Sequence, residues 1–233
     1  MTALKKIGNS LGRLFFPQLC AGCGTDIIDI DQTICLHCNE QLPITNFHLH
    51  ANNPVEKIFW GRIPVTAAAS YLYFTKDSIL QQLLHQLKYK GNKDIGYFLG
   101  RQMGKAFSES NRFCYADALV ALPLFPSRER KRGYNQAAVL CEGFSDASGI
   151  PFLSRAVARV VHTDTQTHKN RIERWQNMEG KFVVEDHGVL RNKRIILIDD
   201  VITTGATLEA CGHELLKVEG VQLNIASLAY TSS

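Results

Sequence analysis

No stretch of this 233-residue chain approaches the roughly 18 consecutive apolar residues of a membrane-spanning helix. The opening residues, MTALKKIGNSLGRLFF, carry Lys5, Lys6 and Arg13, and lack both the continuous apolar stretch and the small-residue cleavage site of a secretory signal. A short amphipathic helix suits them better, and a cytoplasmic protein is expected. Internal repeats and low-complexity tracts are missing, which excludes a solenoid or a long disordered tether. A dominant charge of one sign is missing too. The formal net charge of +4 permits anionic ligands without by itself indicating nucleic-acid binding. What is present, 45% hydrophobic and 21% charged residues, is the composition of an ordinary globular protein, and the length suits one medium domain with a small appendage.

The seven cysteines fall into two groups. Cys114, Cys141 and Cys211 sit within apolar patterns and read as buried small hydrophobes. Cys20, Cys23, Cys35 and Cys38 form C-x2-C-x11-C-x2-C. Each pair can close a tight turn with both sulfurs on one side, and two such turns together offer the tetrahedral four-sulfur geometry that Zn2+ prefers. Neither pair opens a helix in a βαβ setting, as a thioredoxin-like redox site would require. Four thiolates leave no open coordination position, so the metal is structural. A segment this short builds little core of its own, and metal binding would supply much of its folding energy.

Along the chain, residues 1–50 form this zinc-ribbon-like module. Residues 51–64 (ANNPVEKIFWGRIP) read as a linker that docks through Phe59 and Trp60. Residues 65–233 alternate strands and helices, which implies an α/β domain with a parallel sheet. VTAAASYLYF (65–74) reads as a strand. A helix capped by Asp77 follows, with Leu80, Leu83, Leu84 and Leu87 on one face. Ile95, Phe98, Leu99 and Met103 mark a second helix. ALVALP (118–123) is a short buried strand, Asn135 starts a helix with Ala137, Leu140, Cys141 and Phe144 inward, and VQLNIASLAY (221–230) is the closing strand.

The most informative stretch is IILIDDVITTGAT (195–207). Four branched apolar residues suit a strand buried on both faces, running into Asp199 and Asp200 at the C-terminal edge of the sheet, where open α/β folds bind ligands. Thr203, Thr204, Gly205, Ala206 and Thr207 then open a helix over 207–218. Backbone N–H groups, threonine hydroxyls and the helix dipole can hold a phosphate dianion, and glycine at 205 lets the backbone approach its oxygens. The carboxylates repel phosphate but accept hydrogen bonds from vicinal sugar hydroxyls. Phosphate beside a diol points to a ribose 5-phosphate.

The loop after the 118–123 strand, PLFPSRERKRGYNQA, crowds Arg128, Arg130, Lys131 and Arg132 together before Gly133. It reads either as a solvated surface turn or, at the same sheet edge as the two acids, as a grip on further phosphate through bidentate arginine contacts. The polar stretch 162–180, with His168, Lys169, Arg171, Arg174 and Asn177, reads equally as a mobile hood or as an ordinary basic surface helix.

IILIDDVITTGAT resembles the phosphoribosyl pyrophosphate (PRPP) binding motif of type I phosphoribosyltransferases. Together with R-x3-RG-Y-NQA, LLHQLKYKGN (83–92), TQTHKNRIERWQNMEGKF (165–182) and the four-cysteine start, the chain closely resembles the ComF family of competence-associated proteins, whose relatives include the GntX-type proteins. The resemblance implies a type I phosphoribosyltransferase fold with an N-terminal zinc module, PRPP as ligand, and a role in DNA uptake during natural transformation. It implies that Asp199 and Asp200 hold the ribose hydroxyls and waters of Mg2+. Residues Thr203 to Thr207 would hold the 5'-phosphate, Arg128, Arg132 and Gly133 the pyrophosphate, and Lys169, Arg171 and Arg174 would belong to a closing hood. Two functions stay open: a binding module working on single-stranded DNA, with a helicase-type partner, or an enzyme in which a nitrogen nucleophile displaces pyrophosphate from C1 of PRPP. In the first, Lys5, Lys6 and Arg13 would follow a phosphate backbone and Trp60, Tyr71 or Tyr73 would stack bases. In the second, Thr203 stands where purine-salvage relatives carry an acid, which speaks against that activity, and no residue is assigned as general base.

Overall fold

The computed structural model describes residues 18–29, 32–160 and 181–231, and the elements named here are those of the described residues. Beyond the first cysteine pair come α1 (Leu36–Glu40), a 3-10 turn (Phe47–Leu49) and α2 (Pro54–Phe59). Next are β1 (Ala67–Tyr73), α3 (Ile79–Tyr89), α4 (Lys93–Ser108), β2 (Ala118–Ala121), α5 (Pro126–Arg132) and α6 (Gln136–Ser148). The chain continues with β3 (Val157–Val160), β4 (Lys181–Val184), α7 (His187–Leu190), β5 (Arg194–Ile202), α8 (Ala206–Leu215) and β6 (Gln222–Tyr230).

Four strands make one parallel sheet in the order β1-β6-β5-β2. Its two inner strands are buried along nearly their whole length: Ile195 through Ile198, Ile225, Ala226 and Leu228 are fully enclosed. That double burial is why the sequence shows unbroken apolar runs in place of alternation. β3 and β4 pair antiparallel as a separate hairpin. The stretch 161–180 between them, with the hood candidates Lys169, Arg171 and Arg174, lies outside the described residues, as do residues 1–17 with Lys5, Lys6 and Arg13.

Leu80, Leu83, Leu84 and Leu87 are buried along one face of α3, as their spacing predicts. Its cap is Ser78, not Asp77. The Ser78 side chain accepts the Gln81 N–H at 3.2 Å, whereas Asp77 sits one residue earlier in the left-handed region at φ 57°. Asn135 caps α6 as expected, accepting the Ala137 N–H at 3.0 Å. α4 and α6 approach each other through glycines: a Cβ on Gly100 would stand 2.3 Å from the Leu140 carbonyl oxygen, and one on Gly143 would stand 2.1 Å from that of Tyr97. α6 in turn packs on β2 and β5.

The residues before the sheet are tied to it tightly. Residues 43–45 pair with the free edge of β1 through Thr45 N–H to Tyr71 O (2.9 Å) and Tyr73 N–H to Pro43 O (2.8 Å), which covers an otherwise open strand. Asn53 caps α2 and sends its Nδ2 to the carbonyls of Phe47, His50 and Ala68. Of the two aromatic residues expected to dock this segment, Phe59 is fully buried while Trp60 is 57% exposed. α2 ends between them, and the extended backbone at Trp60 turns its side chain outward. Tyr71 is buried and so is a core residue in place of a stacking platform, whereas Tyr73 packs edge-on against Phe47 at 5.3 Å and stays 38% exposed. Cys141 and Cys211 are buried as expected, whereas Cys114 is only half-buried.

Candidate functional site

β2 pairs with β5 only as far as Ile198, while β6 follows β5 to Ile202. Asp199 and Asp200 therefore lie inside β5, at the point where it loses one neighbour. The expectation of a strand ending at the acids is corrected, because the length of β6 keeps β5 extended past them. A crevice opens where β2 stops. The two acids are adjacent, and their nearest surroundings differ. Asp199 lines a small pocket of about 40 Å³ with Thr203, Thr204, Gly205, Ala206 and Thr207. Asp200 meets Lys88 of α3, with Oδ2 and Nζ 2.9 Å apart.

Residues 203–207 form the turn expected of a phosphate cradle. Gly205 is the N-cap of α8 at φ 72°, a conformation that disfavours any side chain, and it offers no side-chain acceptor to the first turn. The Ala206 N–H meets the Thr204 hydroxyl only at 3.5 Å. The unsatisfied donors and the positive end of the helix dipole thus favour an anion here. Arg62 braces the turn from behind, donating to the carbonyls of Thr204 (2.8 Å) and Ile58 (3.1 Å) and pairing with Glu209 of α8.

The basic stretch after β2 is a helix and not the loop expected. Pro126 sits in its first turn, Glu129 near its start, Arg130 to Arg132 in its last turn, and Gly133 closes it at φ 79°. That order sets the acid and the bases to complement the helix dipole. Arg128, Lys131 and Arg132 line a cleft of about 500 Å³ together with Lys88, Tyr89 and Gly91. Arg132 donates to Gln136 Oε1 at 2.6 Å and lies 5.7 Å from the Tyr89 ring, which fixes its guanidinium on the cleft wall. Gly133 serves as the turn that ends the helix.

Burial raises the pKa of Asp199, and the charge of Asp200 adds to it, carrying the group to about 7. The Asp200 N–H, which donates to Asp199 Oδ1 at 2.7 Å, and the cations Lys88 and Arg159 pull the other way without cancelling it. Arg159 on β3 lies over the Phe125 ring at 3.5 Å and the Phe182 ring at 4.9 Å. Sequence reasoning missed Arg62, Lys88 and Arg159. Lys88 lay within the LLHQLKYKGN landmark, but nothing in that phrase says what it touches. Arg62 and Arg159 carried no signal.

The four cysteines converge. Their sulfurs all lie within 4.8 Å of one another, with Cys23 and Cys35 at 3.7 Å. Four thiolates bonded to one zinc ion stand about 3.8 Å apart, so the donor set and its spacing fit such an ion. The N–H groups of Gly22 and Cys35 point at Cys20 Sγ (3.3 and 3.2 Å), the usual support of a metal-bound thiolate. Burial opposes ionisation of Cys20, and these donors outweigh it, bringing the thiol down to about 6; burial and the neighbouring sulfurs push Cys38 up. The cluster rests on α3. Gln86 Nε2 donates to Ala21 O at 2.6 Å, and a Cβ on Gly22 would stand 3.2 Å from Ile79 Cγ2. Among the described residues no helix is long and apolar enough to cross a membrane.

The model of the phosphoribosyl transferase domain matches residues 132–233. Competence protein F of Haemophilus influenzae is 30% identical over 219 residues, which cover 91% of this chain and 90% of that protein. The DNA utilization protein YhgH of Escherichia coli is 28% identical over 205 residues, 86% of each chain. Competence protein ComFC of Bacillus subtilis is 29% identical over 163 residues, 69% of this chain and 62% of that one.

Proposed function

This chain belongs to the competence protein F family, with a type I phosphoribosyltransferase fold, and from that premise we propose that its crevice binds PRPP in the service of DNA uptake. The observation that carries the reading is the position of Asp199, which lines the same pocket as Thr203, Thr204, Gly205, Ala206 and Thr207. A pentose 5-phosphate with its phosphate on the turn brings its hydroxyls toward the acids. Asp199 and Asp200 accept hydrogen bonds from the ribose diol and from waters of Mg2+, whose charge offsets the repulsion between them. Arg128 and Arg132, in the neighbouring basic cleft, receive the pyrophosphate, and Gly133 ends the helix that carries them.

Residues 1–50 act as a zinc-bearing module, 51–64 as its connection and 65–233 as the PRPP-binding domain. Zn2+ holds Cys20, Cys23, Cys35 and Cys38 together and takes no part in chemistry. Single-stranded DNA is the working partner in the cytoplasm. The cleft supports this reading, since it combines Lys88, Arg128, Lys131 and Arg132 with the 65% exposed ring of Tyr89. The second reading, transfer of ribose 5-phosphate to a nitrogenous base, draws on the size of that cleft, about 500 Å³ beside the acids.

Calorimetry with PRPP and Mg2+ tests the binding claim, and absence of heat at millimolar ligand overturns it. Pyrophosphate release with a panel of bases decides between module and enzyme. Binding of a labelled single strand at two salt concentrations tests the DNA role, which a missing salt-sensitive complex removes.

A further inference from the structure

Lys88 occupies the last turn of α3, where the negative end of the helix dipole favours a cation. Its Nζ lies 2.9 Å from Asp200 Oδ2, and the two side chains are 21% and 14% exposed. The same lysine lines the basic cleft with Tyr89, Gly91, Arg128, Lys131 and Arg132. One ammonium on a four-carbon stem therefore touches both halves of the site, the acids and the place where phosphate would accumulate.

The charges cannot all be satisfied at once. A divalent cation at the acid pair competes with Lys88 for Asp200. A polyphosphate in the cleft competes with Asp200 for Lys88. Each ligand alone is opposed by the ion pair, and each releases the group the other needs. Lysine suits this exchange better than arginine, being a compact charge on a flexible stem that makes no fixed fork with the carboxylate.

We propose that Lys88 is an exchangeable counter-ion: it holds Asp200 in the free protein and passes to the pyrophosphate moiety when a divalent cation takes Asp200. The inference rests on the PRPP reading and adds a coupling between metal and polyphosphate to it. Metal and PRPP then bind with positive cooperativity, each raising the affinity of the other by the same factor.

The test compares the full-length protein with Lys88→Met and Lys88→Arg. Mn2+ binding is followed by the loss of the free-ion paramagnetic resonance signal, PRPP binding by calorimetry, and folding by thermal denaturation. Lys88→Met is expected to bind Mn2+ alone about tenfold more tightly and PRPP alone about tenfold more weakly, with the cooperativity between them lost. Lys88→Arg, which keeps the charge, is expected to stay closer to the wild type in both. Opposite signs for metal and anion are what a merely structural lysine cannot produce. Equal losses of both affinities in Lys88→Met, or affinities within about twofold of wild type, overturn the proposal and leave PRPP binding by the wild type standing. A wild-type protein that binds neither probe overturns the PRPP reading and this inference with it.

Discussion

Gly205 and Phe59 meet across the sheet edge: a Cβ added to Gly205 would stand 3.0 Å from Phe59 Cε1 and 2.7 Å from Ile58 Cγ2. The segment before the sheet thus forms the back wall of the turn at residues 203–207, and Arg62 ties the two together from the same side. The glycine is required twice, by its φ of 72° and by this wall. Gly205→Ala is expected to cost at least about 1–2 kcal/mol from the left-handed backbone alone, and more from the contact. Urea denaturation reads the loss, and PRPP affinity should fall with it because the turn must shift.

The acids divide the site between them, Asp199 lining the pocket of residues 203–207 and Asp200 pairing with Lys88. Replacing both by asparagine removes two charge-assisted acceptors at about 1.5 kcal/mol each, which corresponds to roughly a hundredfold loss of PRPP affinity. The fold should survive, since the substitution also removes a like-charge repulsion. Calorimetry and a thermal melt check the two parts, and unchanged affinity would refute the assignment of the diol.

Proton uptake follows from the position of Asp199. Held at about 7 in the folded protein against an ordinary 3.8, this carboxyl keeps its proton where the unfolded chain has lost it. Folding binds a proton between about pH 4 and pH 7, so this group's contribution favours the fold at the acid end and fades as pH rises through that window. Asp199→Asn should flatten that slope in denaturation curves. Because Mg2+ and the diol need the carboxylate, PRPP binding near about pH 6 should release a proton and should tighten toward about pH 8. Titrations in two buffers of different ionisation enthalpy measure the release.

Zinc should be found at one ion per chain in protein purified without chelators. Stripping it, or changing Cys38 to serine, should lower the melting temperature, because Cys20, Cys35 and Cys38 belong to the buried core. A second effect should accompany the first. The cluster rests on α3 through Gln86 and Ile79, and α3 carries Lys88 to the acids. Metal-free protein should therefore bind PRPP more weakly even at temperatures where circular dichroism shows the sheet intact.

The close approach of α4 and α6 leaves no room for a methyl group at Gly100 or Gly143, each facing a carbonyl at 2.3 Å or less. Gly143→Ala is expected to destabilise by about 1–3 kcal/mol through forced separation of the helices, measurable by urea denaturation. PRPP affinity should change little at low temperature, since Gly143 lies two turns along α6 from Gln136, where that helix meets Arg132 of the cleft.

Much of this architecture could be read from the chain because its signals are local. The apolar run ending in two acids, the Thr-Thr-Gly-Ala-Thr turn, the cysteine spacing and the leucine stripe of α3 each occupy one contiguous stretch, and each became the element expected. Boundaries were harder: Ser78 displaced Asp77 as a cap, β5 ran past the acids because β6 was there to pair with it, and a basic loop closed into α5. Trp60 and Phe59 are neighbours with equal apolar claims, and only the end of α2 decides which one is buried.

From the sequence alone came the fold class, the turn at residues 203–207, the acid pair and the four thiols, since backbone preference, apolar periodicity and ligand spacing act over a few residues. Only the tertiary structure decided that Asp200 faces Lys88, that Arg62 grips the Thr204 carbonyl and that Phe59 backs Gly205. These partners lie far apart along the chain, and no local pattern marks a cation for one carboxylate over another. Their meeting depends on how strands align and helices pack, which is a property of the whole fold.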